Sequence, residues 1–471
     1  MRDEGGSSGG SHARDGRHHD RAHEGDPPAS QAAGEGAQGP QEGGHGGHRQ
    51  EAGEALEPGR AAGAGADAGS ALPGFLSAFA YRDFRLLWIG AFLSSVGTWT
   101  QDVALAWLIH SRFRDPFYLG LRAFAADAPL IAFMLLGGAV ADRVDRRRIL
   151  LTSNVLQMTF ATVLGLLYAA DRLGIGAILT LAFLTGLSQS QSAPTYQAVI
   201  TSLVPPRRIQ NAVALNSLQF NLSRAIGPVI AGLLLARAGT GACFAVNAAS
   251  FLAVIAALWR ARIPAHTEAP KEGLGRSLGT AFRHVARDPI LAALTLIAAA
   301  GSFLAFPLIT YLPVIAGTTL GTGAAGYSML LSSFGVGAIA GAVATAHRGH
   351  VPRRGRTLLL AFIVYGAATA AAVMSSRQSV AMGLLLVSGF SVVTAFSTVN
   401  ALVQENAPGP LKGRVLGIYG FAFRGGVPLG SLVAGLLVRP FGAPAVIAAF
   451  SSTLTLLAAG MYARRGGVRD M

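Results

Sequence analysis

From Phe84 almost to its last residues the chain is a succession of apolar stretches of about 20 residues, separated by short polar breaks. A helix rises 1.5 Å per residue, so each stretch is long enough to cross a hydrocarbon core of about 30 Å. Twelve such spans are predicted, at 84–110, 119–141, 148–170, 175–200, 210–236, 241–262, 290–316, 323–346, 357–376, 379–403, 412–437 and 441–463. With 51% hydrophobic and 13% charged residues and a mean hydropathy of +0.44, the chain is unlike an ordinary soluble domain. The fold class expected is an all-α membrane protein.

The formal charge of +14 is unevenly spread. Residues 1–72 carry a net −6 and the remainder +20, so the basic charge belongs to the apolar part and fits a membrane surface rather than nucleic acid. Residues 1–72 hold almost no large apolar side chain and are predicted to be a disordered cytoplasmic tail, unable to offset the entropy of ordering. Their histidines, His12, His18, His19, His23, His45 and His48, are irregularly spaced with no Cys or acid cluster, so no metal site is expected. The segment also lacks the apolar h-region of a signal peptide. Cys243 is alone, which excludes an intramolecular disulfide, and the only lysines, Lys271 and Lys412, sit in no phosphate-binding loop, so ATP is not hydrolysed here. No cofactor is expected.

The longest connection, Arg260 to Pro289, divides the spans into two sets of six, 80–262 and 290–463, leaving a linker at 263–289 and a cytoplasmic tail at 464–471. Leu278, Phe282 and Val285 recur at helical spacing in the linker, so a helix lying on the membrane surface is predicted there. Connections following even-numbered spans carry 18 Arg and Lys against 6 in the opposite ones, which places both termini in the cytoplasm of a cell-membrane protein. The two sets echo each other. Gln197 to Pro205 parallels Asn400 to Pro408, and Arg224-Ala-Ile-Gly-Pro228 parallels Arg424-Gly-Gly-Val-Pro428. Span n thus pairs with span n + 6, as in parallel-repeat transporters.

After the second span stands Gly138-Ala-Val-Ala-Asp142-Arg143-Val-Asp145-Arg146-Arg147-Arg148. It resembles the G-x-x-x-D-R-x-G-R-[RK] loop of the major facilitator superfamily, with Asp145 where that family usually has glycine. Asp142 would lie at the C-terminal end of its own helix, where the dipole disfavours a carboxylate and a compensating partner is required. The resemblance supplies one near the start of the eleventh span and makes Gly138, Asp142, Arg143, Arg146 and Arg147 a latch between the halves. The corresponding Gly341-Ala-Val-Ala-Thr345 has no aspartate, so the latch is expected to be one-sided. Gly227-Pro228-Val-Ile-Ala-Gly232 resembles the G-P-x-x-G-G element of antiporters in that superfamily, with Ser223 and Ala231 replacing two glycines; Pro228 removes a backbone hydrogen bond and kinks the helix.

Ionisable residues inside spans are expensive and so mark function. Asp102 and Asp127 both fall about 12 Å from the outer surface at 1.5 Å per residue, and Arg224 and Arg424 lie near the middle of the fifth and eleventh spans. Asp102 continues a stripe of Ser94, Ser95, Thr98 and Gln101 on one helical face; Thr185, Ser188, Gln189 and Ser192 form another, and Asn216, Gln219 and Ser223 lead to Arg224. Such faces require a wet interior. Asp102, with Asp127 as the second candidate, is expected to carry a coupling proton, the alternative being a permanent ion pair with nearby Arg122. Thr98, Gln101, Gln189, Asn216, Gln219, Arg224 and Arg424 are the candidate cavity residues, the arginines for an anionic or polar substrate.

Phe84-Arg-Leu-Leu-Trp88, Gly97-Thr-Trp99, Asn211-Ala-Val-Ala-Leu-Asn216 and Gly413-Arg-Val-Leu-Gly417 resemble the branch of the superfamily that contains enterobactin exporters and macrolide-efflux-like proteins. The resemblance implies the major facilitator fold, two pseudo-symmetric six-helix halves. It also implies a proton-coupled exporter of a small amphipathic molecule, such as a siderophore or antibiotic, working by alternating access as a monomer. Its partners would be the lipid bilayer, the substrate and protons. An importer of a small polar solute, or a non-transporting membrane scaffold, stays open on the sequence; an enzyme is disfavoured because no nucleophile, carboxylate pair or histidine cluster forms within the spans.

Overall fold

The computed structural model describes residues 74–136, 145–264, 274–347, 353–464 and 467–471. Among these, every regular element is helical. After a short 3-10 turn at Gly74–Ala80 come α1 (Arg82–Leu108), α2 (Phe117–Leu136), α3 (Arg146–Ala169), α4 (Ile175–Ser202), α5 (Ile209–Arg237) and α6 (Gly239–Arg260). Then follow α7 (Leu274–Arg287), α8 (Pro289–Ala305), α9 (Pro307–Val314), α10 (Gly323–His347), α11 (Arg354–Met374), α12 (Gln378–Asn406), α13 (Lys412–Phe441) and α14 (Ala443–Ala463). Nine helical segments among the described residues are long and apolar enough to cross a membrane. The outer surface has the matching character: Leu166, Leu296 and Leu456 are 65%, 70% and 72% exposed, which is unfavourable in water and natural against lipid.

Helix α1 packs on α5 and α6, α3 on α4 and α6, and α2 on α4. In the second part α8 packs on α13, α10 on α12, and α11 on α12 and α14. Two main crossings join the parts, α2 against α13 and α5 against α10, with smaller contacts of α9 on α1 and α2 and of α10 on α1. The linker helix expected from the sequence is α7, which buries Val285 and leaves Phe282 63% exposed.

Local sequence explains where several helices begin. Asp145 caps α3, its carboxylate accepting from the Arg147 backbone N–H at 3.2 Å, which gives the residue standing in place of the usual glycine a structural task. Asp288 caps α8 by accepting from the N–H groups of Ile290 and Leu291 at 2.9 and 3.0 Å, with Pro289 in the first turn where it loses no bond.

The seventh span, read from the sequence as one helix over 290–316, is broken instead. Pro307 has no N–H for the Phe303 carbonyl, and Ile309 bonds to Phe306 at 3.0 Å rather than to Ala305. The Ala305 carbonyl so released is taken by the Tyr365 hydroxyl at 2.7 Å, and the Phe303 carbonyl lies against Gly430 of α13, where any Cβ would overlap it. Residues 464–471, read as a tail, include a turn at Gly467–Asp470 that tucks against α11: Val468 is buried, the Gly355 N–H donates to the Met471 carbonyl at 3.0 Å, and Arg356 pairs with Asp470 at 3.6 Å. The 1–72 tail and, in the loop motif, Gly138, Asp142 and Arg143 lie outside the described residues.

Candidate functional site

A cavity of about 600 Å³ lies where the two sets of helices face each other. Its first wall comes from α1, α2, α4 and α5, with contributions from α3 and α6, and its second from α9, α12 and α13. Of the residues expected from the sequence, Thr98, Gln101, Asp102, Asp127, Gln189, Arg224 and Arg424 line it. Asn216 and Gln219 do not. Asn216 donates to Gln197 at 3.1 Å, and buried Gln219 donates to the Ser95 hydroxyl at 2.9 Å, fastening α5 to α1.

The polar stripe of α1 is wired to neighbours. Gln101 accepts from the Asn247 amide of α6 at 2.9 Å, and Gln189 of α4 donates to Gln157 of α3 at 3.4 Å. Asp102 is ion-paired with Arg122 of α2, with side chains 34% and 21% exposed, so the pair is partly withdrawn from solvent. Asp127, one helix face further along α2, has no hydrogen-bond or ion-pair partner among the described residues, although Arg424 and Arg122 are within electrostatic reach. Arg224 is 8% exposed, and its guanidinium stands over Trp99 at 5.4 Å and over Phe334 of α10 at 5.3 Å. Arg424 is exposed.

The Gly227, Pro228 and Gly232 motif positions Arg224. Pro228 cannot donate to the Arg224 carbonyl, and at that level Gly335 of α10 comes so close that an added Cβ would stand 3.2 Å from this oxygen. Gly227 packs on Trp99 with no room for a Cβ, its carbonyl accepting from the Thr100 hydroxyl at 3.2 Å, and a Cβ on Gly232 would stand 2.8 Å from that of Ser328 on α10. Of the loop motif's described members, Arg147 donates to the Trp259 carbonyl at 2.6 Å, and Arg146 begins α3.

Sequence reasoning missed most of the second wall. Phe306, Phe396 and Phe423 form an aromatic cluster there, with centroids 5.7 Å apart for Phe306 and Phe396 and 4.8 Å for Phe396 and Phe423. An aromatic residue in an apolar span carries no signal of its own. Asn247 and Gln157 did carry one, each an amide within an apolar run.

One end of the cavity is shut. Arg439, at the end of α13, pairs with Asp115 before α2, its Nε–H donating at 3.0 Å, and its guanidinium stands 4.6 Å from the Phe117 ring. That hydrogen bond holds the Asp115 carboxyl below the ordinary carboxylate range. Beneath it, the Tyr311 hydroxyl donates to the Ser431 carbonyl at 2.9 Å, both against Gly120 of α2. Trp107 stacks on Tyr327 at 6.5 Å, and the His110 ring closes on Gly317.

Residues 74–471 match the family described as transmembrane secretion effector. Similar proteins include the staphyloferrin A transporter of Staphylococcus aureus, 26% identical over 362 residues that cover 75% of this chain and 88% of that one. The multidrug efflux pump Tap of Mycolicibacterium fortuitum is 25% identical over 387 residues, covering 79% and 93%. The enterobactin exporter EntS of Citrobacter koseri is 23% identical over 339 residues, covering 71% and 80%. Among solved structures, a bacterial homolog of the human lysosomal transporter Spinster superposes with a TM-score of 0.65 at 16% identity, covering 83% and 97%. A D-xylose–proton symporter does so with a TM-score of 0.65 at 14% identity, covering 82% and 99%.

Proposed function

Because the chain belongs to the transmembrane secretion effector family of the major facilitator superfamily, a family of multi-pass membrane transporters, we propose that it is a proton-coupled exporter of small amphipathic molecules working by alternating access. Twelve helices cross the membrane in this reading, in two six-helix halves with both termini cytoplasmic. Support for α1, α2 and α4 as spans comes from their lengths of 27, 20 and 28 residues and from their packing within the bundle. The polar residues that α1 and α4 turn toward the cavity lower their mean hydropathy. With that orientation the shut end faces outward, and opening it requires α13 to part from α2. The names of the relatives, which transport or export siderophores and drugs, support export and an amphipathic substrate.

The observation that carries the reading is the carboxylate and arginine set inside a cavity walled by both halves. Asp102 already has Arg122, so the coupling proton falls to Asp127, which has no hydrogen-bond or ion-pair partner among the described residues. A proton taken up from outside turns the Asp127 carboxylate into a neutral acid, weakening its pull on Arg424 of the opposite half. Release to the cytoplasm restores the charge. Alternation between the two states is thereby tied to proton entry as substrate leaves.

The test is accumulation of a fluorescent amphipathic cation and of a catecholate siderophore in cells expressing the protein, with and without a protonophore. Lower accumulation of either, reversed by the protonophore and absent in Asp127→Asn, is the expected result. Accumulation equal to that of cells lacking the protein for both compounds would overturn export of this class. Undiminished, protonophore-sensitive efflux by Asp127→Asn would remove the proton from that residue.

A further inference from the structure

We infer that Arg224 is the anion-binding point of the cavity, and that the molecule carried is an amphipathic anion whose charged group docks on this guanidinium while its apolar body lies on the aromatic wall. The inference rests on the cavity being the transport site. It starts from a difference between two residues that the sequence repeat makes equivalent. Arg424 is exposed and faces Asp127, and Arg122 is paired with Asp102. Of the three arginines in the cavity lining, Arg224 is the one that is neither ion-paired among the described residues nor exposed, and it is the most deeply buried of the three.

Arg224 is more than nine-tenths buried, its Nε–H is fully enclosed without an acceptor, and no protein oxygen takes a hydrogen bond from its guanidinium among the described residues. A guanidinium keeps its charge at neutral pH, and burying it unpaired is strongly unfavourable. Trp99 and Phe334 offset part of this through their ring faces, but aromatic rings accept no forked pair of hydrogen bonds. The group that complements such a fork is a planar or tetrahedral oxyanion. Carboxylate, sulfonate, phosphate and catecholate groups all supply one.

The body of the ligand follows from the remaining wall. Phe220 meets Trp99 edge-on with centroids 6.2 Å apart, and the Phe306, Phe396 and Phe423 cluster stands on the facing half. Trp99 belongs to α1, Arg224 to α5 and Phe334 to α10, so an anion seated here touches the α5–α10 crossing that must rearrange during alternation.

Binding of three probes of one shape to the full-length protein in lipid nanodiscs tests this by calorimetry: 2-naphthoate, neutral 2-naphthamide and 2-naphthylmethylammonium. We expect naphthoate to bind roughly tenfold or more tightly than the amide, the scale of a charge-assisted hydrogen bond, and the cation to bind most weakly. Arg224→Gln should abolish that preference with the amide unchanged, Arg224→Lys should keep part of it, and Arg424→Gln should leave most of it. Equal binding of naphthoate and amide, preference for the cation, no naphthoate binding, or a preference that survives in Arg224→Gln would each overturn the inference. Should Arg224→Gln not fold, probe selectivity of the unmodified protein and of Arg224→Lys decides. Charge-indifferent binding together with protonophore-sensitive efflux would remove the anion point and keep the exporter. Arg224-dependent anion binding without efflux in cells would do the reverse.

Discussion

Gly120 lies where the shut end is tightest, and replacing it with alanine isolates the contribution of that contact. A Cβ there overlaps both the Tyr311 hydroxyl oxygen and the Ser431 carbonyl oxygen. The first could swing aside only by giving up its 2.9 Å bond, and the second is backbone, so the methyl acts as a wedge between α2 and α13. Overpacking of this kind costs about 1 to 3 kcal/mol. The strain exists only while α2 and α13 are in contact, so it favours the opened form by the same amount, a shift of roughly 5- to 150-fold in the open-to-closed ratio. Buried Cys243 is the only cysteine, so a Cys243→Ala background carrying Ala123→Cys, a small cavity-lining residue one turn along α2, gives a single reporter. Labelling from outside intact cells by a membrane-impermeant maleimide should accelerate by that factor in Gly120→Ala. An unchanged or slower rate in protein that reaches the membrane in normal amount would refute the assignment of this crossing as the outer gate.

Three further outcomes follow from the structure. Asp115→Asn should also speed labelling of the Ala123→Cys reporter; because Arg439 holds the Asp115 carboxyl below its ordinary range, the closing contact is fully present above that range and is lost only as pH falls through the lowered value, so the ratio of the Asp115→Asn rate to the rate with Asp115 intact, in which the thiolate fraction of the reporter and the titration of other groups cancel, should be flat with external pH from about 5 upward. A fall of that ratio toward one between pH 7 and 5 would contradict this. Tyr365→Phe leaves the Ala305 carbonyl at the α8–α9 break without its donor and should destabilise the protein by about 1 to 3 kcal/mol, read as a lowered thermal unfolding temperature in detergent. Asp288→Ala removes both cap bonds of α8 and should cost about 1 kcal/mol in the same assay, whereas Asp288→Asn or Asp288→Ser should recover most of it.

The sequence alone determined that this chain is a helical membrane protein of the major facilitator type. Apolar runs of membrane-crossing length are a local property, and a charge inside such a run announces itself without knowledge of its neighbours. That is why Asp102, Asp127, Arg224 and Arg424 were legible before any contact was known, and why the Gly227 and Pro228 pattern marked a close crossing. Even the break at Pro307 is written in the chain, since proline supplies no N–H to the preceding turn. Partnership is different, because it depends on helix rotation and on residues more than 100 positions apart, which no local pattern encodes. Only the tertiary structure decided that Gln219 fastens α5 to α1 and does not reach the cavity, that Asp127 lacks the partner Asp102 has, and that phenylalanines unremarkable in sequence form the second wall. It also decided that two arginines in parallel sequence motifs have opposite surroundings, one exposed within electrostatic reach of a carboxylate and one buried between two rings, since the residues around them come from different helices.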